Sequence, residues 1–410
     1  MFDATQATRR EGPRGHFDHW LLVGLIGLAG MGVVMITSSS IAVADSQHMG
    51  ALYFLKRHLV FLTMGIVGAC VVMRIELKQF ETRAMPLLLL AFVLLLAVFV
   101  PHLGLRINGA RRWLNLLFTT FQPVEAVKLI LVMYVASYLV RHREQVETTF
   151  WGLLKPIAVA GVIVVMLLLQ PDFGSATLII AVTIAMVWLG GARPLHLAGM
   201  ALPLMPLLYM AATGQSYRMK RLTSFMDPWK DPFNDGFQLT QSLMAIGRGE
   251  WDGVGLGSSV LKLSYLPEAH TDFIFAVIGE ELGLAGVLLV MGLFALVVGR
   301  GLYLGLKGVE VNRAFAGYVA FGVSLMLAMQ AIVSVGVNLG ALPTKGLTLP
   351  LISYGGSSMV LTCVMAGVLL RATFEINRAI EARQARQNLP AAVAAVDANA
   401  VTPQPEAVSV

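Results

Sequence analysis

The chain has 410 residues, of which 57% are hydrophobic and only 13% charged, too little polar surface to cover a soluble globule. Its formal charge of +6 is what the cytoplasmic loops of an inner-membrane protein collect, and gives no reason to expect a nucleic-acid partner. Two cysteines, Cys70 and Cys363, both within apolar runs, provide neither a disulfide framework nor metal-ligand spacing.

Apolar runs long enough to cross about 30 Å of hydrocarbon recur along the whole length, so the reading is an all-α polytopic membrane protein of about ten transmembrane helices. The first, Trp20 to Ser40, follows Arg9, Arg10 and Arg14 and precedes the Ala-Val-Ala of Ala42 to Ala44, which imitates a cleavable signal. Its apolar core is longer than that of a signal, and a retained anchor is expected. The next five are Leu59 to Met73, Met85 to Leu103, Pro123 to Val140, Pro156 to Leu169 and Ser175 to Leu189. The last four are Leu195 to Ala212, Phe273 to Val298, Phe315 to Val337 and Leu349 to Leu370.

Charge sets the orientation. Arg74, Lys78 and Arg83, then Arg141 and Arg143, Arg193, and finally Arg300, Lys307 and Arg313 fall on the same side as both termini, which makes that side cytoplasmic. Residues 1–19 then form a cytoplasmic tail and 20–380 the membrane domain. Within the domain, 213–271 is a large periplasmic loop before helix 8, and a connection that long points to function on the outer face. The segment 381–410, with Ala, Val and Pro and few aromatics, reads as a disordered cytoplasmic tail. No repeat of fixed period and no inverted repeat of the transporter kind is visible.

Four stretches carry candidate chemistry. In RINGARRWLNLLFTTFQP, Arg106, Arg111 and Arg112 crowd a short outer loop against the charge bias; they suit an anionic ligand or, with Trp113, anchoring to lipid headgroups. FQPVEAVK places Pro123 in a first helical turn and Glu125 three residues before Lys128, an intramembrane ion pair open to a structural or a functional reading. The loop RMKRLTSFMDPWKDPFNDGFQ mixes both charges with turn signals, and the glycines of GRGEWDGVGLGSS would let backbone N–H groups approach a phosphate, although the GK[ST] ending of a P-loop is missing.

The fourth stretch, LPEAHTDFIFAVIGEELG, puts His270 and Thr271 at an outer helix mouth, with Thr271 a candidate cap for a helix starting at Asp272 or Phe273. A carboxylate at that boundary is partly desolvated, which suits Asp272 as a general base; the alternative is simple complementation of the helix dipole. Glu280 and Glu281 lie roughly 12 to 13 Å deeper along the helix and read as interhelical anchors. Near the C-terminus, NLGALPTKGLTLPLISYGGSS holds Lys345 in a proline-punctuated turn and a glycine pair suited to close helix packing. There is no GxSxG elbow, HExxH, CxxC or Rossmann fingerprint.

Together, RINGARRWLN, FQPVEAVKL, QPDFGSA, the long loop, YLPEAHTDFIFAVIGEELG and LPTKGLTLPLISYGGSS resemble the SEDS family (shape, elongation, division and sporulation) over all but the two tails. PTKGLTLPLISYGGSS, with Lys345, is similar to the division branch, and Val124 departs from the serine frequent in this position. The resemblance implies a peptidoglycan glycosyltransferase of the bacterial inner membrane. Such an enzyme polymerises lipid II on the periplasmic face for septal cell-wall synthesis during cell division, with inversion and release of undecaprenyl pyrophosphate. It also implies a class B penicillin-binding protein of the FtsI type as partner transpeptidase, beside other divisome membrane proteins.

On this reading Asp272 is the catalytic base, and Arg106, Arg111, Arg112, Glu125, Lys128, Lys345 and Ser353 bind substrate. Trp113, Gln122, His270, Thr271, Glu280 and Glu281 support them. No cofactor is expected beyond a possible divalent cation, Mg or Mn, at the pyrophosphate. The competing readings are a lipid II flippase, an elongation-type polymerase and a non-catalytic scaffold.

Overall fold

The computed structural model of the chain describes residues 15–107, 109–116, 119–199, 202, 206, 223–234, 236–263, 266–344 and 346–387. The first half contains helices α1 (His19–Ser46), α2 (Tyr53–Met73), α3 (Leu77–Thr82), α4 (Ala84–Ala97), α5 (Pro123–Arg141), α6 (Arg143–Thr148), α7 (Phe150–Leu169) and α8 (Phe173–Leu189). The second contains α9 (Phe237–Gly249), α10 (Ile274–Glu310), α11 (Ala314–Asn338) and α12 (Gly356–Gln387).

Seven of these, α1, α2, α5, α7, α10, α11 and α12, are long and apolar enough to cross a bilayer, and α4 and α8 are shorter apolar helices. Together they account for every expected span except Leu195 to Ala212, most of which lies outside the described residues. The chain is a multi-pass membrane protein.

Several boundaries move. The helix expected from Pro156 starts at Phe150, where Thr149 accepts a bond from the Gly152 N–H. Pro156 can follow inside it because the carbonyl its ring leaves unpaired, that of Gly152, receives the Tyr138 hydroxyl of α5 at 2.8 Å. The last span begins at Gly356 rather than Leu349, and it continues as helix to Gln387, so the segment expected to be disordered from 381 is helical at its start. The helix after Asp272 breaks at Gly283, whose φ of 62° and ψ of −159° belong to a region essentially reserved for glycine.

α5 is apolar on every face and buried along nearly its whole length, as a helix surrounded by protein must be. It packs against α4, α8, α11 and α12, with α10 and α1 beyond α11 and α2 against α12. The all-α reading omits one element: between α4 and α5 the chain forms a small antiparallel sheet of β1 (Gly104–Ile107), β2 (Ala110–Asn115) and β3 (Thr120–Phe121). Its first turn contains Gly109 at φ 82°, in keeping with a tight hairpin.

Candidate active site

A cavity of about 730 Å³ opens beneath this sheet. Its walls are the β1–β2 hairpin, the first turns of α5 and α8, the turn from Glu268 to Phe273, and the strap from Pro343 to Ser358 that leads into α12. Carboxylates converge on it from four segments: Glu125, Asp172, Glu268 and Asp272.

Asp272 is half-buried on the wall, and the backbone that carries it is fixed at three successive carbonyls. His270 O accepts the Tyr354 N–H at 2.9 Å, Thr271 O accepts the Ser353 hydroxyl at 2.7 Å, and Asp272 O accepts the Asn338 amide at 3.0 Å. Asn338, fully buried at the end of α11, also receives the Ala276 N–H through its Oδ1 at 3.0 Å. It thereby satisfies one of the orphan donors in the first turn of α10.

That arrangement corrects two expectations. Thr271 does not cap the helix, which starts at Ile274; its hydroxyl turns back to Glu268 Oε2 at 2.6 Å. Ser353 does not face the cavity, because its hydroxyl bridges Thr271 O and the Leu349 N–H, the latter at 2.8 Å. It holds backbone. His270 sits behind the wall against the rings of Phe54 and Tyr354, at 4.9 and 5.5 Å between centroids. Burial lowers its pKa below the usual histidine value, only partly countered by Glu268, so the imidazole stays neutral.

The three arginines separate. The hairpin is irregular at Arg112, the extra residue between the pairs Leu105–Trp113 and Arg106–Arg111; Ala110 and Arg112 line the cavity, whereas Arg106 and Arg111 are exposed and do not. Arg112 is already engaged: its Nε donates to Gln170 O at 3.3 Å, a second nitrogen to Pro171 O, and a third lies 3.9 Å from Asp172. It fixes the turn whose Asp172 caps α8 through the Ser175 N–H at 3.2 Å. Trp113 and Gln122 both line the cavity. Lys345 lies outside the described residues.

Glu125 reaches the cavity from the first turn of α5, and Lys128, wholly buried, lies behind it at 2.8 Å. Lys128 also approaches Gln330 Oε1 at 3.4 Å, and Gln330 donates to Thr348 O of the strap at 3.0 Å. Glu125 Oε1 is thus tied, but its buried Oε2 has no hydrogen-bond partner among the described residues. A bare carboxylate oxygen on a cavity wall is costly unless a ligand or water completes it.

A family described as cell cycle protein, FTSW_RODA_SPOVE, matches residues 19–378, which hold all of the bundle but the end of α12 and every wall of this cavity. The chain belongs to the FtsW/RodA/SpoVE family. A relative from Xanthomonas oryzae pv. oryzae, named probable peptidoglycan glycosyltransferase FtsW, is 54% identical over 91% of this chain and 76% of its own length. A second of that name, from Thioalkalivibrio sulfidiphilus, is 45% identical over 89% of this chain and 93% of its own. Among solved structures, one described as showing structural coordination of polymerization and crosslinking by a peptidoglycan synthase complex matches with a TM-score of 0.72 at 29% identity. It covers 88% of this chain and 98% of that one. The rod shape determining protein RodA of Thermus thermophilus matches with a TM-score of 0.63 at 28% identity, over 87% and 96% of the two chains.

In this FtsW-like chain the remaining acids lie away from the cavity. Glu280 takes Arg248 at 3.2 Å, the Val260 N–H at 3.2 Å and the Ser259 hydroxyl. Glu281 takes Lys262 at 2.6 Å and the Ser38 hydroxyl of α1, joining α1, the long loop and α10. The glycine-rich stretch after α9 makes no phosphate cradle. Its N–H groups at Val254 and Gly255 donate to Glu280 O and Glu281 O at 2.9 and 3.0 Å, and its Glu250 O and Trp251 O receive the Leu284 and Ala285 N–H groups. It completes the hydrogen bonds that the break at Gly283 opens, and a side chain at Gly253 would collide with Glu281 O.

Asp172, Glu268 and Asn338 were not among the residues singled out from the sequence. QPDFGSA contained a signal for the first, since Asp followed two residues later by Gly-Ser is a helix start. Nothing local marks Asn338, whose partners are remote in sequence.

Proposed function

We propose that this chain is a peptidoglycan glycosyltransferase that polymerises lipid II for septal wall synthesis, with Asp272 as its base. The observation that carries the reading is the seat of Asp272: a carboxylate on a cavity wall near the membrane boundary, its backbone held by three separate donors. The activity stated in the names of the curated relatives agrees with it.

Asp272 takes the proton of the acceptor's GlcNAc 4-hydroxyl as that oxygen attacks the donor's MurNAc anomeric carbon. The new C–O bond forms on the face opposite the breaking bond to phosphate, the configuration inverts, and undecaprenyl pyrophosphate leaves with the electron pair. A pyrophosphate needs electrostatic stabilisation rather than a general acid. Arg112 on the wall and Lys345 are proposed to supply it. Glu125 Oε2 accepts a hydrogen bond from the lipid-linked sugar, with Lys128 holding its other oxygen. Among the described residues no three His, Cys, Asp or Glu side chains converge as a metal cage, so no step here runs through the divalent cation.

The protein sits in the inner membrane with this cavity on the periplasmic side and works with a penicillin-binding protein, of class B and FtsI type. A matching chain from a complex that polymerises and crosslinks supports such a pairing. The test is glycan synthesis from defined lipid II in detergent, with the partner present. Detergent removes sidedness, so long glycan chains support a transferase, and no polymer refutes it and returns the reading to a flippase or a non-catalytic scaffold.

A further inference from the structure

We infer that Arg106 and Arg111 form a site for the phosphate of an anionic membrane phospholipid, separate from the substrate cavity. The two stand directly opposite each other across the β1–β2 ladder, next to an irregularity in register between Leu105 and Arg106. Like charges in that position destabilise a hairpin unless an anion bridges them. Both side chains are exposed, and neither forms an ion pair with a carboxylate among the described residues. Arg106 uses only its Nε, which donates to Gly109 O at 3.2 Å, so the two outer nitrogens of its fork remain available.

The surroundings select the ligand. Leu103 and Leu116, at the ends of the two strands, are 49% and 51% exposed, which is unfavourable in water and ordinary where a hairpin rests on acyl chains. The leucines flank the open end of the hairpin, roughly 10 to 16 Å along the strands from the arginine pair, a spacing that suits a headgroup phosphate at the arginines with its tails running toward the leucines. The pyrophosphate of the substrate is poorly placed to use them, because the hairpin residues that line the cavity are Ile107, Gly109, Ala110, Arg112 and Trp113, and both arginines are exposed outside it. This inference stands whether or not Asp272 is the base.

The test is native mass spectrometry of the full chain released from membranes containing equal phosphatidylglycerol and phosphatidylcholine, for wild type, R106Q/R111Q and R106K/R111K. Each arginine near the surface contributes about a fivefold preference for an anionic lipid, so the glutamine variant should lose roughly 25-fold in retained phosphatidylglycerol. The lysine variant, which keeps charge but not the fork, should fall between the two. Equal phosphatidylglycerol retention by wild type and R106Q/R111Q overturns the site. So does added undecaprenyl pyrophosphate that wild type retains and the glutamine variant loses while phosphatidylglycerol is unaffected, since the pair would then belong to the substrate.

Discussion

Replacing Asn338 by Ala should slow polymerisation while leaving a folded protein. The side chain receives the Ala276 N–H at 3.0 Å and donates to Asp272 O at 3.0 Å and Ser334 O at 2.8 Å. Ala276 retains a second bond to Phe273 O at 3.1 Å, so the main loss is the Asn338 bond to Asp272 O. Losing the donor to this part-buried carbonyl and weakening one further bond cost about 1–3 kcal/mol of stability. The catalytic cost is comparable, because releasing one of three ties lets the Asp272 carboxylate shift, and a displacement of about 1 Å costs on the order of 100-fold in rate, about 2.7 kcal/mol. Asn338 does not line the cavity, so kcat should fall with KM nearly unchanged. Asn338→Asp keeps the acceptor for Ala276 and loses the donor to Asp272 O, and should share the kcat defect. The assay is lipid II polymerisation per folded molecule, with thermal unfolding in parallel; folded Asn338→Ala with kcat within about twofold of wild type refutes the positioning argument.

Lys128→Met should destabilise the protein by about 3–5 kcal/mol, because it leaves Glu125 buried and unpaired, and adding Glu125→Gln should restore most of that loss. Thermal unfolding of the single and double variants reads this directly, and simple additivity would show that the two do not act as a pair. Gly283→Ala should cost about 1–3 kcal/mol in backbone strain alone, with further loss because its methyl meets Gly253 N and Trp251 O. An unchanged melting temperature would mean that the break is not held by the loop. His270 is kept below its ordinary value of 6.5 mainly by burial, so the unfolded chain binds the proton that the folded one refuses. Stability should therefore be full above about pH 6.5 and decline as pH drops below it, with His270→Gln flattening the decline. A melting profile of the same slope in both proteins would remove His270 as the cause.

Most of the bundle was legible because hydrophobic length in a membrane protein is a strong local signal. The i, i+3 spacing of Glu125 and Lys128 was enough to place them on one helix face, and the structure has them 2.8 Å apart. Less visible was anything decided by tertiary contact. The arginine cluster reads as one patch in sequence, but the irregular hairpin puts Arg112 on the cavity wall and leaves Arg106 and Arg111 exposed outside it. Ser353 reads as a hydroxyl near a ligand loop, yet it holds the backbone of Thr271. The break at Gly283 has no proline to announce it; it exists because a loop some thirty residues upstream, Glu250 to Gly255, supplies the missing backbone partners. The glycines of that loop accordingly serve a helix rather than a phosphate.

The account's central claim is that Asp272 removes the acceptor proton, and the most direct measurement compares Asp272→Asn with wild type in detergent, on defined lipid II with the penicillin-binding partner bound. Asn has nearly the same shape and cannot take a proton. The expected result is a folded, partner-binding variant that makes no glycan chains while wild type makes long ones. Polymer from Asp272→Asn at a rate near that of wild type would contradict it and send the search for the base to Glu125, Asp172 or Glu268, which line the same cavity.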